Sequence, residues 1–142
     1  MTLNGVAFGF DYGGRRIGVA VGQSITGTAS ALAVISNSPQ GPNWAELDKL
    51  VREWRPAALV IGLPVTVDGY DQAVTTASRA FADTLAARYQ LPIHLQDERY
   101  SSRESEAQFK QLRQGGLARK KDAAMLDAAA AKRILERWLQ GV

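Results

Sequence analysis

The chain has no cysteine and a single histidine. Disulfides and thiolate zinc sites are therefore excluded, and the lack of thiols agrees with a reducing cytoplasm. No apolar run approaches the roughly 18 residues that a membrane-spanning helix needs. The N-terminus lacks the basic region and apolar stretch of a secretory signal. Internal repeats, low-complexity tracts and Pro- or Gly-rich linkers are also missing. These absences leave one expectation, a single domain over residues 1–142, long enough to bury a core without staples.

Charge is nearly balanced. Seventeen Lys and Arg stand against fourteen Asp and Glu, a net of +3, with a pI near 9.4. Such a mild excess is weak evidence for a polyanionic partner. Its distribution says more. Lys110, Arg113, Arg119, Lys120 and Lys121 fall within twelve residues that contain no acid. That is either a solvated helix end and loop or a contact to phosphates.

Local patterns give an order of elements. Residues 6–10 and 16–22 read as strands around a glycine-bearing turn. Gly13 and Gly14 are expected to supply the positive φ angles of a tight hairpin. Residues 28–35 form a third β-type run. Asn43 is a good N-cap for a helix over residues 44–54, where Trp44, Leu47, Leu50, Val51 and Trp54 make one apolar face. Residues 57–61 are apolar without alternation, as in a strand covered on both faces. A Gly62–Leu63–Pro64 loop follows at the kind of strand end where α/β folds place ligands. A helix is expected over residues 71–89, with Ala77, Phe81, Thr84 and Leu85 inward, and a strand over 91–96. His94 in that strand is expected to be packed or exposed rather than a ligand. Ser101 and Glu104 make a capping box for a helix to about Gln114. The last helix spans residues 122–139. Hairpins first and α/β crossovers after imply a mixed sheet with helices on both faces.

Three carboxylates stand out against this frame. Asp11 and Glu98 each sit where a strand runs out. Asp127 projects from a helical stripe of small residues, with Ala123, Ala124, Ala130 and Ala131 three or four positions away. Those small residues let the helix press closely on the sheet. An ionised carboxylate there costs several kcal/mol unless paired. The partner is either Arg99 in an ion pair or a metal ion shared with other acids. If the first and fifth strands are parallel, Asp11 and Glu98 leave the sheet at the same edge, within reach of Asp127. Three carboxylates without thiols or imidazoles favour Mg²⁺ or Mn²⁺ over zinc. Two such ions about 4 Å apart are a standard arrangement for phosphodiester hydrolysis.

The segments GFDYGGRRIGVAVG, SITGTASAL, VIGLPVTVDG, QDERYSS and LDAAAAKRILE resemble the YqgF family of small bacterial proteins, known as Holliday-junction-resolvase-like or pre-16S rRNA nucleases. The resemblance runs from about Gly5 to Leu139. It departs from many members at Gly22-Gln23, where they carry Ser-Asp, and at Ser101-Ser102, where threonines are common. It implies a ribonuclease-H-like fold, a five-stranded sheet of order 3-2-1-4-5 with strand 2 antiparallel to the rest. It further implies a metal-dependent nuclease with Asp11, Glu98 and Asp127 in the acidic positions, acting in the cytoplasm on the 5′ end of precursor 16S ribosomal RNA. In that order the first and fifth strands are roughly 9–10 Å apart. Glu98 must then lean inward across the fourth strand or act through water.

The leading reading is thus a metal-dependent endonuclease for structured RNA in ribosome biogenesis, working alone or as a homodimer, on free RNA or ribosomal particles. Arg99, Lys120 and Lys121 would contact phosphates. Branched DNA is the alternative substrate. Two other classes compete. One is a nucleic-acid-binding module without chemistry. The other is an actin-like or sugar-kinase-like phosphotransferase, for which one domain of this size supplies half a cleft.

Overall fold

A computed structural model describes residues 5–64, 73–98 and 120–141, with side chains from residue 126 onward in the last segment. Five strands form one sheet: β1 (Val6–Tyr12), β2 (Arg16–Gln23), β3 (Thr28–Ser36), β4 (Ala58–Leu63) and β5 (Ile93–Asp97). Their order is β3-β2-β1-β4-β5. β2 is antiparallel to β1 and β3, whereas β4 is parallel to both β1 and β5. The described helices are α1 (Trp44–Trp54), α2 (Ala73–Tyr89) and α3 (Lys120–Gln140).

Alternation along β1 divides its side chains by size. Phe8 and Phe10 point to one face, where they meet Ile17, Val19, Leu59, Ile61, Leu47 of α1 and Phe81 of α2 in the main core. Burying each large side chain there contributes on the order of 1.5–3 kcal/mol. The opposite face is floored by small residues, Ala7, Ala20, Ala29 and Ala58, beneath Ala131, Ile134, Leu135 and Leu139 of α3. Gly9, Gly18, Gly22 and Gly62 complete that floor. A Cβ on any of them would fall within 3 Å of the helix or a neighbouring strand. Of the small residues expected to let the last helix press on the sheet, Ala131 is buried on this floor and Ala130 is half-buried, while the side chains of Ala123 and Ala124 lie outside those described. The backbones approach closely at Gly18, beside the Asp127 carbonyl.

Several local expectations are corrected. The β1–β2 turn is wider than a two-residue hairpin, because Tyr12 pairs with Ile17. Neither Gly13 nor Gly14 takes a positive φ. A side chain at Gly13 would instead strike the Arg16 carbonyl, at 2.7 Å. β4 runs to Leu63, so Gly62 belongs to the strand rather than to a loop. Asn43 caps α1 as expected, its side chain accepting from the Glu46 amide, but Arg55 in the left-handed conformation closes that helix before Pro56. Trp44 packs on the core, while Trp54 is 42% exposed. It borders a shallow cavity of about 340 Å³ with Val6, Gln23 and Thr28. In α2 the inward positions are Thr75, Ser78, Phe81, Ala82 and Leu85. Thr84 is exposed and donates to the Ala80 carbonyl at 3.0 Å. His94 stacks on Trp138, ring centroids 4.8 Å apart. The start of the second helix and the capping box with its helix lie outside the described residues. No helix among the described residues is long and apolar enough to cross a membrane.

Candidate active site

Asp11 is the sixth residue of β1. It shares the floor face with Ala7 and Gly9, because strand side chains alternate. Across β2 its partner is Gly18. The Asp127 backbone carbonyl fills the space that a Gly18 side chain would need. Glycine at that position thus seats α3 directly on the sheet and sets Asp127 beside Asp11.

Glu98 follows β5, and its amide donates to the Leu63 carbonyl at 2.9 Å, extending the parallel ladder by one rung. One step past the Phe10–Ile61 pair, Asp11 comes level with Gly62. Gly62 presents no side chain, and a Cβ there would lie 3.2 Å from Cγ of Glu98. The Glu98 side chain therefore leans inward across β4, as the sheet order requires, and is only 5% exposed.

The three carboxylates act on one another. Burial, then the charges of Asp127 and Glu98, push the Asp11 carboxyl from the ordinary 3.8 up to about 7, while Arg133 pulls the other way. Guanidinium groups from two elements offset the remaining charge. Arg16 Nε donates to Asp127 Oδ2 at 2.7 Å. Arg137 Nη1 lies 3.4 Å from Glu98 Oε2. Among the described residues, no three carboxylate, imidazole or thiol groups meet closely enough to form a ready-made cation cage. The donor set is nonetheless all oxygen, and its mutual repulsion is the kind that a hard divalent ion relieves.

Of the residues singled out from sequence, Glu98 and Asp127 thus lie near enough to Asp11 for their charges to act on it, at one end of the floor face. Arg99 lies outside the described residues. Lys120 and Lys121 open α3, but their side chains are not among those described. Among the described residues Asp127 pairs with Arg16; the alternative of an ion pair with Arg99 lies outside them. Sequence reasoning passed over Arg16, Arg133 and Arg137. The last two are four apart on α3, a spacing that places them on one side of the helix.

A five-stranded 3-2-1-4-5 sheet with an acidic cluster at the end of its central strand defines a ribonuclease-H-like protein. Among solved structures, RuvC of T. thermophilus in complex with a Holliday junction substrate aligns over 97% of this chain and 95% of its own, with a TM-score of 0.54 and 19% identity. A second Thermus thermophilus RuvC structure gives a TM-score of 0.51 at 20% identity over 96% and 95%. At that identity the likeness is one of fold.

The family model described as "RuvX: Holliday junction resolvase" matches residues 5–141, and the chain belongs to this family, which the YqgF resemblance indicated. Relatives named "Putative pre-16S rRNA nuclease" include one from Xanthomonas campestris pv. campestris (strain B100), 50% identical over 92% of this chain and 84% of its own. Another, from Xanthomonas axonopodis pv. citri (strain 306), is 48% identical over 96% and 88%. A third, from Xylella fastidiosa (strain 9a5c), is 47% identical over 96% and 88%.

Proposed function

We propose that the chain is a single-domain, metal-dependent endonuclease that trims the 5′ end of precursor 16S ribosomal RNA in the cytoplasm, as a monomer or homodimer, with Asp11, Glu98 and Asp127 as its catalytic and metal-binding residues. The observation that carries this is the burial of the Asp11 carboxyl near the charges of Asp127 and Glu98, which pushes its pKa up, with Gly18 and Gly62 leaving the room for both neighbours. A structural carboxylate is normally placed so as to keep its charge comfortably. Here three are packed where at least one resists ionising, which is a pattern of functional sites. The relatives named as pre-16S rRNA nucleases supply the substrate class.

In this reading the three carboxylates hold one or two Mg²⁺ or Mn²⁺ ions, with Glu98 binding directly or through water. When bound, such an ion lowers the pKa of a coordinated water and steadies developing charge on the phosphate oxygens. The chain's own residues do the rest. Asp11 would lose its proton to solvent water on serving as a ligand. Arg16 and Arg137 hold Asp127 and Glu98 in place in the metal-free protein. Arg99, Lys120 and Lys121 contact backbone phosphates of RNA or of a ribosomal particle. Hydrolysis adds a water oxygen to phosphorus, breaks one ester bond, and leaves a proton on the departing oxygen.

A four-way DNA junction is the second substrate, favoured by the family description. The test is incubation with labelled precursor RNA and with a four-way junction, each with and without Mn²⁺. Mn²⁺-dependent cleavage of the RNA at its 5′ side is expected. Binding of both substrates with no products would leave only a passive binding module.

A further inference from the structure

Gly62 lies in a motif to which the proposed chemistry assigns nothing, yet it occupies the sheet position between the two strand-borne acids. β1 and β5 flank β4, so Asp11 and Glu98 are separated by two strand spacings, roughly 9–10 Å. A glutamate closes such a gap only by lying across the intervening strand. Every other described β4 residue facing α3 carries a side chain: Ala58 and Val60 are both in the floor cluster. At Gly62 the floor is bare. Glu98 Cγ and the end of Ile134 share the space above it, at 3.2 and 2.5 Å from where a Cβ would stand. The Glu98 backbone is pinned to Leu63, so its side chain cannot evade an obstacle by moving the main chain.

We propose that Gly62 is a positioning residue for Glu98: its missing side chain leaves the trough through which the Glu98 carboxylate reaches across β4 toward Asp11. This rests on the carboxylate-site reading above. Backbone freedom is not the reason for glycine here, since Gly62 does not take a positive φ. The reason is space, and a valine would fill it.

Gly62→Val alone would also collide with Ile134, so the test pairs it with Ile134→Ala, which removes as many carbons as the valine adds. Volume-conserving exchanges of this kind are tolerated best. The readout is binding of Mn²⁺ alone, followed through the electron-spin signal of the free ion, with RNA cleavage measured in parallel. Ile134→Ala, which removes neither a charge nor an oxygen donor, should bind within about twofold of the parent. Gly62→Val/Ile134→Ala should bind about tenfold more weakly, the scale on which a ligand's supporting contacts act. Glu98→Gln should weaken binding by about tenfold in the Ile134→Ala protein and by less than about twofold when Gly62→Val is also present, because both changes remove the same contact. Additive losses, or unaltered Mn²⁺ affinity in Gly62→Val/Ile134→Ala, would overturn the role of Gly62 alone. A parent protein that binds no Mn²⁺ would overturn the cation-site reading and this role with it.

Discussion

Replacing Asp11 by asparagine should make the protein more stable at alkaline pH while abolishing cleavage. The carboxyl is raised from 3.8 to about 7 in the folded state. Between those values the native protein holds more protons than the unfolded chain, so stability falls as pH rises through this window. Above about 7 the penalty is complete, and below about 4 it is absent. Some three pKa units correspond to about 4 kcal/mol. Asp11 keeps partial contact with solvent, so we expect about 2–4 kcal/mol for Asp11→Asn at pH 8. For a chain of this size that is an increase in melting temperature of roughly 5–15 °C. Thermal melts of both proteins from pH 4 to 9 check the whole curve. The difference should shrink to nothing near pH 4. Mn²⁺ should raise the melting temperature of the parent more than that of the variant, because only the parent keeps the full ligand set. A variant that is equally or less stable at pH 8, or a gain that does not change with pH, would refute the electrostatic account of the cluster.

Other expectations follow from individual contacts. Gly18→Ala should cost at least about 3 kcal/mol in denaturant unfolding, because its methyl would meet the Asp127 backbone, which has no rotamer to yield. Arg16→Gln should tighten Mn²⁺ binding by roughly twofold to fivefold at low salt, since the ion no longer competes with a guanidinium for Asp127. Replacing Lys120 and Lys121 by alanine should weaken RNA binding at all sequences and reduce the slope of log affinity against log salt by about one per lysine removed. On the far face, Asp48 accepts a two-pronged contact from Arg88 and a hydrogen bond from Tyr89. The Arg88 and Tyr89 hydrogen bonds hold its carboxyl down to about 2. Asp48→Asn should lose about 1 kcal/mol or less at pH 7, given its exposure, and the loss should vanish as pH falls through about 2.

The fold was legible because its signals are local. Alternating glycine and phenylalanine in residues 6–10, the apolar block before Gly62 and the cap at Asn43 each report on their own neighbourhood. The three acids stood out for a related reason: a carboxylate at a strand end or on an alanine stripe is chemically out of place. What could not be read was who stands opposite whom. Arg16 read only as the first residue of a strand, and the register of β1 with β2 and the seat of α3 bring it to Asp127. Gly13 and Gly14 looked like conformational glycines, yet Gly13 is required by a carbonyl across the turn. Thr84 matched the helical spacing but faces solvent, whereas Ser78 is buried and donates to the Val74 carbonyl. These outcomes depend on contacts between segments distant in sequence, which periodicity does not encode.

The unequal faces of the sheet bear on how the molecule can vary. Where phenylalanines and leucines interlock, a lost methyl can be answered by neighbours changing rotamer. Beneath α3 there is little side chain to rearrange, and main chain rests almost on main chain. Drift under mutation should therefore be absorbed on the aromatic side and transmitted on the bare one. A helix seated this way behaves less like a cushion than like a key on a fixed ledge: any shim under it displaces Asp127.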